Sequence, residues 1–529
     1  VSALPSFPKT FNLATYFLEH NLDAGRSDKV AVLWRDERHT YAQVDRRARQ
    51  AARAFRELGA DVEDRVLIAL PDRPEFVFAL FGVLKAGCVL AMCNPLASAE
   101  DIAYYLDYTR ARVFVCSADV AARAEAAIGM ARHLRVAIVV ADPGETVADG
   151  ERFEPWKDAV LEADADFVTE PTDRDDPAIW LFTSGSTGKP KAAVHLHHDF
   201  AYNTEVFAKR TIGMREDDVT LSVPKLFFGY ATGTNLWFPF AVGATTALFS
   251  ERATAESVFE NIERFRPTVL TSVPTMINSM LAAPEDQKRD LRSLRFLFSA
   301  GEALPEELYR RWKDTYGVEI YDGIGSAELF HIYISNRPGD VKPGSLGKIV
   351  EGYEARIVRP DGTEAPTGEV GTLWVKGDSA AVYYWQDQEK TKQVFRGGDW
   401  VASGDLFTRD EQGYFHYSGR ADDMLKVGGV WVAPLEIEGC LLEHRAVQEC
   451  CVLGYDEDGL VKPLALVVTR QDVFVSPELA TELQEHVKKR LLPYKYPRKV
   501  VFRSEPLPKN DRGKTDRKSL KEALARGEL

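Results

Sequence analysis

Short, uninterrupted apolar runs separated by amphipathic helical patterns constrain this chain more than any other feature of its sequence. Val66–Leu70, Val113–Cys116, Val136–Val140, Ala178–Phe182, Thr268–Val273 and Leu294–Phe298 each read as strands without a polar face. The segment 41–58 sets Tyr41, Val44, Ala48, Ala51, Phe55 and Leu58 on one helical face, with Thr40 as N-cap and Gly59 able to end the helix. Glu75–Ala86 reads as a second helix. Strands that are apolar on both sides must be covered on both sides, which predicts buried parallel strands in an α/β architecture. Beyond residue 345 the texture changes to Gly-punctuated short strands, as in GEVGTLWVKG and DLFTRDEQGYFHYSGR. The final segment, with strands predicted at 447–453 and 463–469 and a helix at 477–490, reads as a small α+β module. The polar stretch Gly419–Asp423 is the predicted boundary.

The 529 residues are too many for one ordinary domain, and 45% hydrophobic with 28% charged residues argues against disorder. A net charge of −14 disfavours a general polyanion binder, so no nucleic-acid partner is expected. The charge is uneven: residues 1–422 carry −15 and residues 423–529 carry +1, with 12 basic and 3 acidic residues inside 488–518. The six cysteines form no CxxC pair and read as buried, reduced thiols of a cytoplasmic protein. His195, His197 and His198 lack a Cys or carboxylate at a zinc-binding spacing. The first residues lack a basic start followed by a long apolar stretch, and no run of 18 apolar residues exists, so neither a leader nor a membrane span is expected.

The strongest local signal is Thr183-Ser184-Gly185-Ser186-Thr187-Gly188-Lys189-Pro190-Lys191, set between two apolar strand-like runs. Glycines let backbone N–H groups approach an anion closely, hydroxyls add donors and lysines add charge. It is not a Walker A loop, because Gly185 and Gly188 enclose two residues rather than four and Pro190 stands in the hydroxyl position. Gly513-Lys514-Thr515 fails the same test, with Pro508 five residues before Gly513.

FTSGSTGKPK resembles the signature loop of the adenylate-forming superfamily, which includes acyl- and aryl-CoA ligases, peptide-synthetase adenylation domains and firefly luciferase. SAGEALP at 299–305, YDGIGSAE at 321–328, SGD at 403–405, GRADDMLKVGG at 419–429 and PKNDRGK at 508–514 follow in the family's order. The resemblance implies an acetyl-CoA synthetase-like fold. Its large α/β N-terminal domain, 1–421, would hold two doubly wound subdomains and a small β-barrel-like one; a small mobile α+β C-terminal domain, 422–529, would follow.

It also implies site residues and the substrates ATP, Mg2+ and coenzyme A. Thr183, Ser184, Gly185, Ser186, Thr187, Gly188 and Lys191 would wrap the ATP phosphates. Ser299, Ala300, Gly301 and Glu302 with Tyr321, Asp322 and Gly323 would form the adenine slot, and Glu328 would carry the magnesium carboxylate. Asp405 would hold the ribose hydroxyls beside Arg420. Lys514 would contact the attacking carboxylate and the α-phosphate, where a desolvated ammonium offsets the repulsion of two anions. Asp422 would be the hinge of a module rotation that brings Gly428–Gly429 toward the site for thioester formation. One departure stands out: Ala327 replaces the family's usual Thr, whose hydroxyl bonds the α-phosphate. A hydrogen bond of that kind is worth about 1.5–3 kcal/mol. The setting of Lys514 also matches the lysine acetylated in some acyl-CoA synthetases, which implies a lysine acetyltransferase as a partner.

The segments KLFFGYATGTNLWFPF and DGIGSAELFHIYISN resemble those of bacterial benzoate–CoA ligases, including relatives acting on 2-aminobenzoate. Phe228-Gly229-Tyr230 stands where amino-acid adenylation domains place an aspartate, so a substrate ammonium would be buried unpaired. Phe228 and Tyr230 would limit the acyl pocket to ring length, and Gly229, Ala231, Ile324, Gly325 and Ile332 would wall it. His331 would be its one polar side chain, meeting an ortho substituent or the carboxylate. An aryl-acid–CoA ligase is the leading expectation. The alternatives are a stand-alone enzyme loading an aryl group onto a carrier protein, a medium-chain acyl-CoA ligase and a non-catalytic adenylate- or acyl-binding scaffold.

Overall fold

The computed structural model describes residues 3–147, 150–184, 189–397, 399–420, 423–427, 430–457, 460–470, 473–509 and 515–529. The predicted first helix forms over Tyr41–Glu57. Thr40 Oγ1 accepts from the Gln43 backbone N–H while Gln43 Oε1 accepts from the Thr40 N–H, a reciprocal cap that satisfies two otherwise orphaned donors. The helix ends at Leu58 and Gly59, the latter at φ +90°. Its small face receives the almost wholly buried helix Pro74–Lys85, so closely that a Cβ on Gly82 would lie 2.6 Å from the Ala51 Cβ.

The apolar runs become strands, divided between two sheets. One has eight strands in the order Tyr383–Tyr384, Pro190–Leu196, Pro177–Ser184, Val89–Met92, Arg65–Ala69, Val113–Ser117, Val136–Val140 and Phe153–Pro155. From Pro177–Ser184 onward the pairings are parallel, as expected. The expectation of parallel neighbours fails on the other side, where Pro177–Ser184 and Pro190–Leu196 form an antiparallel hairpin. Only five residues separate these strands, and a parallel crossover needs a dozen or more. The second sheet has nine strands, with Val219–Ser222, Thr245–Leu248, Val269–Ser272, Phe296–Ser299 and Glu319–Gly325 at its parallel centre. A five-stranded antiparallel sheet contains Glu354–Val358, Gly371–Lys376, Trp400–Arg409 and Phe415–Arg420, where the Gly-punctuated strands were predicted.

The C-terminal part is α+β. Val447–Glu457, Leu460–Thr469 and Lys499–Arg503 form a three-stranded sheet, covered by helices Pro434–Leu442, Pro477–Lys488 and Arg517–Ala525. It has its own core, in which Val432, Ile437, Leu441, Val452, Ala465, Val467, Leu483 and Val487 are all buried. All six cysteines are unpaired and five are buried, Cys450 being half-buried. No described helix is long and apolar enough to cross a membrane.

Candidate active site

The Gly/Ser/Thr segment falls between the two strands of the antiparallel hairpin. Thr183 pairs with Lys191 and Ser184 with Pro190, so the first strand ends at Ser184 at the carboxyl side of a largely parallel sheet, where α/β folds bind ligands. Gly185, Ser186, Thr187 and Gly188 themselves lie outside the described residues. Lys191 is half-buried with its ammonium 3.7 Å from the centroid of the Tyr384 ring. Desolvation lowers its pKa, against the attraction of Glu328.

Glu328 joins this cluster from the other sheet. Its Oε1 accepts from the Tyr384 hydroxyl at 2.5 Å, and its backbone carbonyl accepts from Ala381 N–H at 2.8 Å. One residue earlier, the Ala327 carbonyl is 2.6 Å from His195 Nε2, while His195 Nδ1 is 2.8 Å from Asp199. Buried His195 thus pins the segment lacking the family's Thr to the strand that follows the phosphate loop. Ser326 lies beside the buried Tyr333 hydroxyl. Tyr384 and His195 were not among the residues predicted for the site. Both reach Glu328 and its neighbour over long sequence separations, from the paired strands Tyr383–Tyr384 and Pro190–Leu196.

The two predicted adenine segments meet because their strands are neighbours. Phe296–Ser299 and Glu319–Gly325 pair in parallel with Ser299 opposite Asp322, and Ala300, Gly301 and Glu302 leave the same carboxyl end. Gly301 adopts φ +89° to make that exit. Glu302 is engaged structurally, accepting from the backbone N–H and hydroxyl of Thr275 at 3.1 and 2.7 Å. The Tyr321 ring packs against Phe296 at 5.0 Å. Gly323 lies so close to the next strand that a Cβ would meet the Ile334 carbonyl at 2.7 Å. Asp322 is buried beside Ser299, and burial pushes its carboxyl up to about 8. Asp405 and Arg420 are register partners on adjacent strands, 3.9 Å apart, with the Tyr417 hydroxyl 3.4 Å from Asp405.

The predicted acyl residues converge as well. Phe228 precedes a short helix, Gly229–Thr232, that faces the 325–332 segment. A Cβ on Gly229 would stand 3.1 Å from the Leu181 side chain, a tight contact, and one on Gly325 would stand 2.5 Å from the His331 backbone, an approach that only glycine allows. Gly325 pairs with Ile332, and Ala231 and Ile332 are buried while Ile324 is partly so. The Tyr230 hydroxyl donates to the Ser272 carbonyl at 3.3 Å. His331 is enclosed by Phe207, Tyr230, Phe238 and Phe330. Its Nε2 donates to the Tyr230 carbonyl at 3.0 Å, which makes Nδ1 the acceptor nitrogen. That Nδ1 is buried with no partner among the described residues, and burial lowers the ring's pKa to about 3, so the imidazole is neutral.

A further missed residue supports this segment from outside. Asp72, wholly buried, accepts from the Leu226 N–H at 2.8 Å, and burial raises its carboxyl to about 6 against the pull of Lys225. Lys225 donates to the Phe249 carbonyl at 2.6 Å. In the sequence Asp72 sits in Leu70-Pro71-Asp72-Arg73-Pro74 and reads as a solvated turn. Lys514, Asp422, Gly428 and Gly429 lie outside the described residues. The positive run 488–518 is balanced more than its count suggested. Lys495 pairs with Glu436, Lys509 with Glu449 and Arg517 with buried Glu438, all carboxylates outside the run.

Two neighbouring strand ends, a Lys191–Tyr384–Glu328 cluster and the aromatic side chains around His331 stand where the motifs fall. The chain matches the AMP-binding enzyme family over residues 18–385 and the AMP-binding enzyme C-terminal domain over 436–514, and it belongs to that family. It is 41% identical to the benzoate–CoA ligase of Thauera aromatica over 519 residues, 98% of this chain and 97% of that protein. Among solved structures, the anthranilate CoA ligase AuaEII in complex with anthranoyl-AMP matches with a TM-score of 0.93 and 37% identity, covering 98% of this chain and 99% of that one. A benzoate CoA ligase from Burkholderia xenovorans LB400 matches with a TM-score of 0.88 and 38% identity over 96% and 99% of the two chains.

Proposed function

We propose that the chain ligates an aromatic carboxylate, benzoate or a ring-substituted benzoate such as 2-aminobenzoate, to coenzyme A through an aryl-AMP intermediate. The observation that carries this reading is the surroundings of His331: buried apolar and aromatic groups enclose a neutral imidazole, and no carboxylate stands at Phe228-Gly229-Tyr230 to pair an amino acid's ammonium. Full-length similarity to benzoate– and anthranilate–CoA ligases supports the same reading.

The first step joins a carboxylate oxygen of the acid to the α-phosphorus of ATP and breaks the bond to pyrophosphate. In the second, the CoA sulfur attacks the acyl carbon, AMP leaves and the thiol proton passes to solvent. Thr183, Lys191 and the loop between them hold the phosphates, and Ser326, Thr183 or the backbone replaces the hydroxyl that Ala327 lacks. The parallel pair carrying Ser299–Glu302 and Tyr321–Gly323 takes the adenine, and Asp405 with Arg420 takes the ribose. Glu328 suits Mg2+: it is a half-buried, hard oxygen donor whose Oε1 is fixed by Tyr384, which orients the remaining oxygen. When bound, the ion supplies positive charge across the phosphate oxygens. Lys514 neutralises the approach of the two anions. The N-terminal body, 1–421, keeps the nucleotide while the module 422–529 turns about Asp422 and exchanges Lys514 for Gly428–Gly429. That module's separate core suits a rigid moving unit. Acetylation of Lys514 by a lysine acetyltransferase would remove the charge on which the first step depends.

Because His331 Nδ1 is an acceptor, it favours an ortho amino group over a carboxylate as its partner. The test is pyrophosphate release with benzoate, 2-aminobenzoate, hydroxybenzoates and octanoate, each with free CoA and with a phosphopantetheinylated carrier protein. Turnover on benzoates with free CoA is expected. Turnover only with the carrier would make this a loading enzyme, and turnover on octanoate but not on benzoates would overturn the aromatic reading.

A further inference from the structure

Away from the nucleotide site, the C-terminal module brings together three side chains with metal-ligating chemistry. Cys440 lies in the last turn of helix Pro434–Leu442, Glu443 follows as that helix's C-cap, and His486 lies near the end of helix Pro477–Lys488. The Cys440 thiol, a Glu443 carboxylate oxygen and a His486 ring nitrogen all lie within 4.8 Å of one another. We propose that these residues form a binding site for a borderline-soft divalent ion, Zn2+ in chemical class, that clips the two helices together.

The neighbours arrange the donors for this purpose. His486 Nε2 donates to the Cys440 backbone carbonyl at 2.9 Å, which fixes the tautomer and leaves the lone pair on Nδ1. His444 packs edge-on against the His486 ring at 5.0 Å and 89°, and its own Nε2 is 3.1 Å from Glu482. The imidazole is therefore held from behind by a carbonyl and a ring, as orienting groups hold metal-binding histidines. Cys440 is buried, Glu443 is exposed and His486 lies between, so the cluster has a closed side and an open side from which an ion and a completing water can enter.

A cation already occupies the mouth of this cluster. Arg490 sets Nη1 3.1 Å from His486 Nδ1 and Nε 3.4 Å from Glu443. Its guanidinium bridges the nitrogen and the carboxylate that a metal would bridge and also donates to the His486 carbonyl at 3.2 Å, on a half-exposed side chain. In a tetrahedral site with Zn–S near 2.3 Å and Zn–N and Zn–O near 2.0–2.2 Å, the donors stand roughly 3.3–3.7 Å apart. The donors, now within 4.8 Å of one another, therefore close by about 1–1.5 Å at most on binding. Thiolate, imidazole and carboxylate together select Zn2+ over Mg2+ or Ca2+. The Cys440 proton passes to the buffer on binding. The sequence hid this site because Cys440 and Glu443 lie more than forty residues from His486.

The test uses the full chain, stripped with a chelator and titrated with Co2+, which reports thiolate coordination by a sulfur-to-cobalt charge-transfer band, and with Zn2+ in competition with a chromophoric chelator. One equivalent is expected to bind with that band. Cys440→Ser should abolish the band, His486→Ala should weaken binding at least tenfold, and Arg490→Gln should tighten it at least threefold by removing the competing cation. Arg490→Gln lies on the open rim, so its result does not depend on a core substitution folding. A charge-transfer band that survives Cys440→Ser, or an affinity that falls in Arg490→Gln, would overturn the proposal. So would wild-type binding with no band.

Discussion

Replacing Tyr384 with phenylalanine removes one oxygen atom from the site and leaves the ring that packs under Lys191. The missing hydroxyl is the donor that fixes Glu328 Oε1 at 2.5 Å, and a hydrogen bond to a charged group is worth about 1.5–3 kcal/mol. If Glu328 must hold its orientation while phosphate charge is rearranged, that energy appears in the barrier to adenylation. The result is a loss of about 10- to 100-fold in kcat/KM for the first half-reaction. The ammonium of Lys191, 3.7 Å from the ring, keeps its aromatic contact. Single-turnover pyrophosphate release from ATP and benzoate, without CoA and across a range of Mg2+ concentrations, measures the loss. Thioester formation from supplied aryl-AMP is expected to stay within about twofold of wild type, because no phosphate charge is transferred to pyrophosphate in that step. Equal losses in both half-reactions would mean that Tyr384 only supports the fold, and unchanged pyrophosphate release would remove Glu328 orientation from the mechanism.

Three further outcomes are expected. Lys514→Ala should lose on the order of 100- to 1,000-fold in aryl-adenylate formation while thioester formation from supplied aryl-AMP survives; near-normal pyrophosphate release would contradict its assignment. Gly233→Ala would place a Cβ 2.1 Å from His331 Cδ2 and force the imidazole to move, so KM for the aromatic acid should rise while KM for ATP stays put; a rise in KM for ATP alone would refute the pocket's placement. Asp322, raised to about 8 in the fold from about 4 in an unfolded chain, takes up a proton on folding between those pH values. Its contribution to stability is therefore greatest at acid pH and is lost as pH rises through about 8. Asp322→Asn should lose less Tm than wild type between pH 5 and 8, and parallel Tm curves would show that the carboxyl is ionised in the fold.

Much of the architecture was written in local pattern. Continuous apolar runs such as Val136–Val140 have few conformations in which both faces are covered, and the Thr40–Gln43 cap is complete within four residues. The phosphate loop was equally local. Its hairpin character was less visible, because an apolar run does not say which neighbour it pairs with or in which direction. Tyr384, His195 and Asp72 were illegible for the same reason. A tyrosine in VYYW, a histidine on an apolar stretch and an aspartate between prolines have ordinary local roles, and each acquires its meaning from a partner at least 56 residues away. The excess of lysine and arginine in 488–518 misled in the opposite sense, since it counted charges without the carboxylates that fold against them.

In the proposed reaction an aromatic carboxylate attacks the α-phosphorus of ATP before it reaches CoA. Turnover of benzoate labelled with oxygen-18 in its carboxylate, with ATP, Mg2+ and CoA, followed by mass spectrometry of every product, reports that order of bond making. The expected products are benzoyl-CoA, AMP with one labelled oxygen in each molecule, and unlabelled pyrophosphate. Label in inorganic phosphate alongside ADP, or labelled AMP from octanoate with none from benzoate, would contradict the proposed reaction.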